Sequence, residues 1–106
     1  MTDHHASVHT YAPHADTAII DKMATTYRLV LSNRDSALVS ASDPEELKTV
    51  RENFLKKKLG LTQSDGELDA AIAEVIAHMK DGKPNPRLAV YYLLAEKFDK
   101  LDVFKA

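Results

Sequence analysis

At 106 residues, 44% hydrophobic and 28% charged, the chain has the size and make-up of one globular domain. A chain this long buries roughly two-thirds of the surface its unfolded form exposes, so it needs no metal or disulfide for stability. The lack of cysteine excludes disulfides, thiolate nucleophiles, iron–sulfur clusters and cysteine-based zinc sites, and a formal charge of −2 gives no global pull towards nucleic acid or anionic lipid.

The opening residues, MTDHHASVHTYAPHAD, hold no Lys or Arg and no apolar run, so no secretory leader is expected. Nowhere do about 18 apolar residues follow one another, so no transmembrane helix and no membrane association are expected. A bacterial cytoplasmic protein is the resulting expectation, with residues 1–14 as a flexible or weakly helical N-terminal segment and 15–106 as the helical domain. Within 3–11, Asp3 is the available N-cap, but helix propensity is poor.

The first strong segment follows Pro13. Ile19, Ile20, Met23, Tyr27, Val30 and Leu31 recur at three- and four-residue spacing, one face of a helix predicted over 15–32. Asp16 suits its positive end and Asn33 its left-handed stop. Residues 33–42, NRDSALVSAS, are turn-forming; Ala37, Leu38 and Val39 read as a short helical turn tucked into the core, since no partner strand is visible. The stretch SDPEELKTVRENFLKKKLGL carries a capping box (Ser42 with Glu45, or Asp43 with Glu46), Pro44 in the first turn and Gly60 as its stop. It predicts a helix over 43–59 burying Leu47, Val50, Phe54 and Leu55.

A second capping box, Ser64 with Glu67, opens a helix over 64–81 that buries Leu68, Ala71, Ile72, Val75, Ile76 and Met79 and stops at Gly82. In KPNP, Asn85 reads as an N-cap and Pro86 as the first helical residue. The helix over 86–99 is apolar on more than one face, which makes it the central one; of Tyr91 and Tyr92, one is expected in the core and the other exposed. Leu101, Val103 and Phe104 are expected to fold back onto the core. The fold class is therefore all-α: one compact bundle of four main helices, a short helical turn and an additional N-terminal helix if residues 3–11 order.

Four of five histidines lie in residues 4–14. Were that stretch helical, His5 and His9 would stand one turn apart, a spacing able to hold a divalent cation. No third ligand accompanies them, so no metal and no cofactor is expected. His78 reads as a surface or boundary residue. Lys48, Arg51, Lys56, Lys57 and Lys58 against Glu52 give residues 48–58 a local charge of +4, while Asp65, Glu67, Asp69, Glu74 and Asp81 against Lys80 give 62–82 a charge of −4. Two such faces offer sites for different partners or for a second copy; solvated helix faces are the simpler account. The polar turn at Asn33–Ser36 places Arg34 and Asp35 where a ligand site or a helix cap could form. No Gly-x-Ser-x-Gly elbow, Ser-x-x-Lys motif or phosphate-binding glycine loop occurs, and no catalytic residue is assigned.

Three stretches carry a resemblance: SNRDSALVSASDPEELKTVRENFLKKKLGL (32–61), LDAAIAEVIAHMK (68–80) and YYLLAEKFDKLDVF (91–104). Over roughly 13–104 the chain resembles a family of short bacterial proteins classed as a domain of unknown function. The resemblance implies a small, mainly helical single domain and supplies no activity, cofactor or site residue. The histidine-rich start, without lysine before Lys22, departs from the more charged start of that family. The expected function is a non-enzymatic helical module that binds a protein, as a monomer or weak homo-oligomer. Arg34, Asp35, Arg51, Lys56, Lys57 and Lys58 are the candidate binding residues. Nucleic-acid binding through the basic end of 43–59 and small-ligand binding near Arg34, Asp35 and Arg51 are the alternatives, and nucleic acid is the less expected partner because so few basic residues are available for phosphate contacts.

Overall fold

Capping residues set most helix starts, and a computed structural model, which describes residues 8–9, 11–32, 38–39, 43–79 and 85–104, follows them. Helix α1 spans Thr17–Thr26, with Asp16 as N-cap accepting from the Ala18 N–H at 2.9 Å. Ile19, Ile20 and Met23 are buried as their spacing predicts. The helix does not run unbroken to 32. It ends at Tyr27, and a separate short helix, α2, occupies Arg28–Ser32. Two adjacent β-branched residues supply the reason: the hydroxyls of Thr25 and Thr26 donate to the carbonyls of Asp21 and Lys22, a back-bonding that bends helices. The break leaves Leu29 82% exposed. Asn33, the expected stop, lies outside the described residues.

Leu38–Val39 form β1 and Asn85–Pro86 form β2, paired antiparallel with Leu38 opposite Pro86 and Val39 opposite Asn85. This corrects two expectations. Leu38 and Val39 are extended rather than a helical turn (Ala37 lies outside the described residues), and Pro86 is the N-cap of the following helix, not its first residue. Pro86 disfavours a helical backbone at Asn85 and is itself extended, so the dipeptide is ready to pair with a neighbour. With only two residues per strand, the class remains all-α.

Helix α3 covers Pro44–Thr49, capped by Asp43, whose carboxylate accepts from the Glu45 N–H at 3.0 Å; Ser42, the other candidate cap, lies outside the described residues. From Val50 to Lys58 the same helix continues in the wider π form. The apolar spacing accounts for this. At about 100° per residue an α-helix would point Leu59 away from Val50, yet Val50, Phe54, Leu55 and Leu59 are all buried. The wider turn brings them to one side. The closing bonds are wide too: Leu59 N–H donates five residues back to Phe54 O at 2.9 Å, and Leu61 N–H six back to Leu55 O at 3.0 Å. Gly60 takes φ of +69°, the left-handed stop expected of it.

Helix α4 spans Asp65–His78, its Ser64 cap accepting from the Glu67 N–H at 3.3 Å; Gly82 lies outside the described residues. Helix α5 spans Arg87–Lys97 and is the centre of the molecule, with Leu88, Ala89, Val90, Leu94 and Ala95 no more than 2% exposed. Because other elements pack around it, Tyr91 and Tyr92 are both buried, against the expectation that one would face solvent. Its end is a Schellman motif: Asp99 N–H donates to Glu96 O and Lys100 N–H to Ala95 O. Asp99 adopts φ of 57° there, a conformation costly for an L-residue. Replacing it with glycine is expected to stabilise the protein by up to about 1 kcal/mol; a melting temperature that fails to rise would show that the turn carries no strain. Leu101–Phe104 then form a 3₁₀ turn that buries Phe104, while Val103 stays 38% exposed.

Val8, Ala12 and Ala15 join the same core. A radius of gyration of 12.6 Å fits one compact unit of this length, about 13 Å. Among the described residues no helix is long and apolar enough to cross a membrane.

Candidate functional site

The basic and acidic stretches meet across the seam between α3 and α4. Arg51 donates through Nε to Glu52 at 2.9 Å and through Nη1 to both oxygens of Asp69 at 3.0 Å, with Nη2 3.8 Å from Asp65. Lys56 contacts Glu52 at 2.9 Å and also pairs with Asp65. The π form makes this possible, since residues five apart diverge on an α-helix but here share partners. The Glu52 and Asp69 hydrogen bonds push the Arg51 pKa well above its ordinary value. Asp65, then Glu52, raise that of Lys56, and Lys56 and Arg51 hold the Glu52 carboxyl below the usual carboxylate range. Two cations of the basic stretch, Arg51 and Lys56, are thus neutralised by Asp65 and Asp69 of the acidic one and by their own neighbour Glu52. Of the other expected basic residues, Lys58 lies 5.2 Å from the Phe104 ring centroid in a cation–π contact, and Lys57 is exposed with no ion pair among the described residues. Arg34 and Asp35 lie outside the described residues.

Beside this seam is a cleft of about 430 Å³ lined by Pro44, Glu45, Leu47, Lys48, Arg51, Asp69, Ile72 and Ala73. Its floor is apolar, with buried Ile72 and half-buried Leu47, and its rim carries the charges. Ala73 on α4 and Pro44 at the first turn of α3 form exposed edges. Of the expected binding residues among those described, only Arg51 reaches it.

A second charged centre is internal. Arg87, 5% exposed at the start of α5, donates to Glu46 on α3 and, at 3.0 Å, to the Tyr91 hydroxyl. Its guanidinium also stands 5.7 Å from the Tyr91 ring centroid. Tyr91 stacks on Phe54 at 4.0 Å and meets Tyr27 edge-on at 5.0 Å, and Phe54 stacks on Phe104 at 6.3 Å. Burial opposes the Arg87 charge, but Tyr91 and Glu46 outweigh it and raise its pKa. Burial likewise raises the Tyr91 hydroxyl, partly offset by Arg87, and, with Tyr91, raises Tyr27 well above the ordinary range. Sequence reasoning missed this centre. One signal was available: an Arg opening an otherwise apolar helix, four residues before a Tyr on the same face.

The described histidines serve the N-terminal segment. His9 Nε2 is 3.1 Å from Ala15 O, His78 Nε2 on α4 is 3.2 Å from Tyr11 O, and His14 pairs with Glu96 on α5. The Asp16 N–H donates at 3.0 Å to the Tyr92 hydroxyl, which partly offsets the upward shift that burial gives that hydroxyl. Residues 8–9 and 11–15 thus form a strap over α4 and α5 next to a 250 Å³ hollow lined by Glu74, Val75, His78, Leu93, Glu96 and Lys97. Lys97 pairs with Glu74 there. No group of three His, Cys, Asp or Glu able to hold a metal occurs among the described residues; His4 and His5 lie outside them. The strap's apolar hold is modest: Val8, Ala12 and Ala15 with half-buried Tyr11, at about 0.8 kcal/mol per buried methylene.

No curated protein matches the chain. A family model matches residues 3–102, so the match takes in the strap as well as all but the last two residues of the stretches that carried the resemblance. With nearly its whole length covered, the chain belongs to the family described as protein of unknown function, DUF2853.

Proposed function

We propose that this protein is a non-enzymatic cytoplasmic module that binds a segment of another protein in the cleft between α3 and α4. The observation carrying this reading is the pairing of an apolar floor, Leu47 and Ile72, with a charged rim, the arrangement that lets one apolar side chain anchor while its neighbours are held at the edge. Arg51 supports a protein segment over a small polar ligand: its nitrogens already face Glu52, Asp69 and Asp65, so they leave few fixed donors to orient a small molecule. The same pairings weaken a nucleic-acid role, because Arg51 and Lys56 are neutralised by their own chain and affinity for phosphate scales with the cations offered to it.

Filling the cleft tests the reading. Ala73 is exposed on its edge, so Ala73→Trp should block it without disturbing the core. Quantitative pull-downs should lose at least one partner, by tenfold or more, with Ala73→Trp and keep it with Lys57→Glu, which lies outside the cleft lining. Identical partner lists for wild type and Ala73→Trp would remove the cleft as the binding site. A thermal-shift response to a small metabolite that Ala73→Trp abolishes would instead favour the small-ligand reading.

A further inference from the structure

We propose that the strap, residues 8–15, is exchangeable between copies, and that the seam on α4 and α5 accepts the same segment from a second copy of this chain. This goes beyond the cleft reading and uses another face of the molecule. The seam is complementary to one sequence for certain, the strap itself. Val8, Ala12 and Ala15 repeat at four- and three-residue spacing and are 0%, 0% and 7% exposed, so one face of a short turn fills the seam. Among its polar ties to the body, His78 to Tyr11 O is side chain to backbone and His14 to Glu96 is exposed. Such ties re-form equally well with an identical incoming segment, which is why swapped elements bring no new interface chemistry. The hinge is present too. Asp16, extended at φ −77° and ψ 118°, separates strap from α1, and its N–H bond to Tyr92 fixes the body side of that hinge. An element held by few buried side chains opens at lower cost than the core, so exchange does not require α1 to α5 to unfold.

The test uses the full chain and a fluorescent peptide of residues 8–16. Val8→Asp in the chain weakens the strap held in cis, and His78→Ala removes one tie while leaving the buried side chains intact. Peptide anisotropy should show saturable binding to Val8→Asp at least tenfold tighter than to wild type, with His78→Ala close to wild type because it removes the same tie from the strap in cis and from the peptide in trans. A peptide carrying the same Val8→Asp change should not bind. Absence of peptide binding to Val8→Asp, with helical circular dichroism retained, would overturn the proposal. So would loss of helical structure in Val8→Asp, since exchange demands a body that stands without its own strap.

Discussion

Truncating Phe54 to alanine is expected to lower stability by about 3–5 kcal/mol, the range for emptying a phenylalanine site in a packed core. Phe54 is 1% exposed and is sandwiched between Tyr91 at 4.0 Å and Phe104 at 6.3 Å, so removing the ring also breaks two aromatic contacts worth roughly 0.5–1.5 kcal/mol each beyond burial. The site collapses poorly because its neighbours are tied elsewhere: Tyr91 to Arg87, Phe104 to the 3₁₀ turn. Against a typical total of about 5–15 kcal/mol, such a loss is a large fraction. Thermal unfolding by circular dichroism should show a drop of about 12 °C or more. A shift below about 4 °C would mean that Phe54 does not bridge α3 to α5 as described.

The second large effect belongs to Glu46. Replacing it with alanine removes the carboxylate that faces a guanidinium whose side chain is only 6% exposed. Breaking a buried pair from one side costs more than the pair contributes, because the remaining charge stays desolvated. Glu46 is itself half-buried, which places the expected loss at about 2–4 kcal/mol. Glu46→Gln keeps an acceptor and should lose less. Glu46→Leu combined with Arg87→Met should recover most of the loss, since well-packed apolar replacements of buried pairs are often neutral or stabilising. Urea unfolding of the four proteins measures all of this. If the double variant is no more stable than Glu46→Ala, the centre contributes through something other than the compensation of a buried charge.

The cleft and its charged seam were only partly legible. Arg51 and Lys56 stood out as basic residues and Asp65 and Asp69 as acidic ones, but their mutual neutralisation depends on α3 and α4 lying side by side and on the π form that aligns residues five apart. Charge counted along a sequence records how many ions a helix carries, not which of them face its neighbour. The histidines show the same limit. Spacing alone left the histidines without a role, whereas His9, His14 and His78 meet oxygens of the strap and of α5, contacts up to 82 residues apart.

What the sequence by itself determined is where most helices lie, most of their starts and much of the core. Asp16, Asp43 and Ser64 cap their helices through their own side chains, and apolar spacing within a helix selects the buried face, because both are local interactions fixed by the rise and turn of the backbone. Tertiary structure alone decided the pairing of Leu38–Val39 with Asn85–Pro86 and the burial of Arg87 and of both tyrosines beside it. Each of these departs from what local preference favours, and each is compensated by a partner far along the chain: a second extended dipeptide, a carboxylate on another helix, an aromatic cluster. Local propensities are worth tenths of a kcal/mol to about one per residue, and burial of a large side chain about 1.5–3, so packing wins where the two conflict.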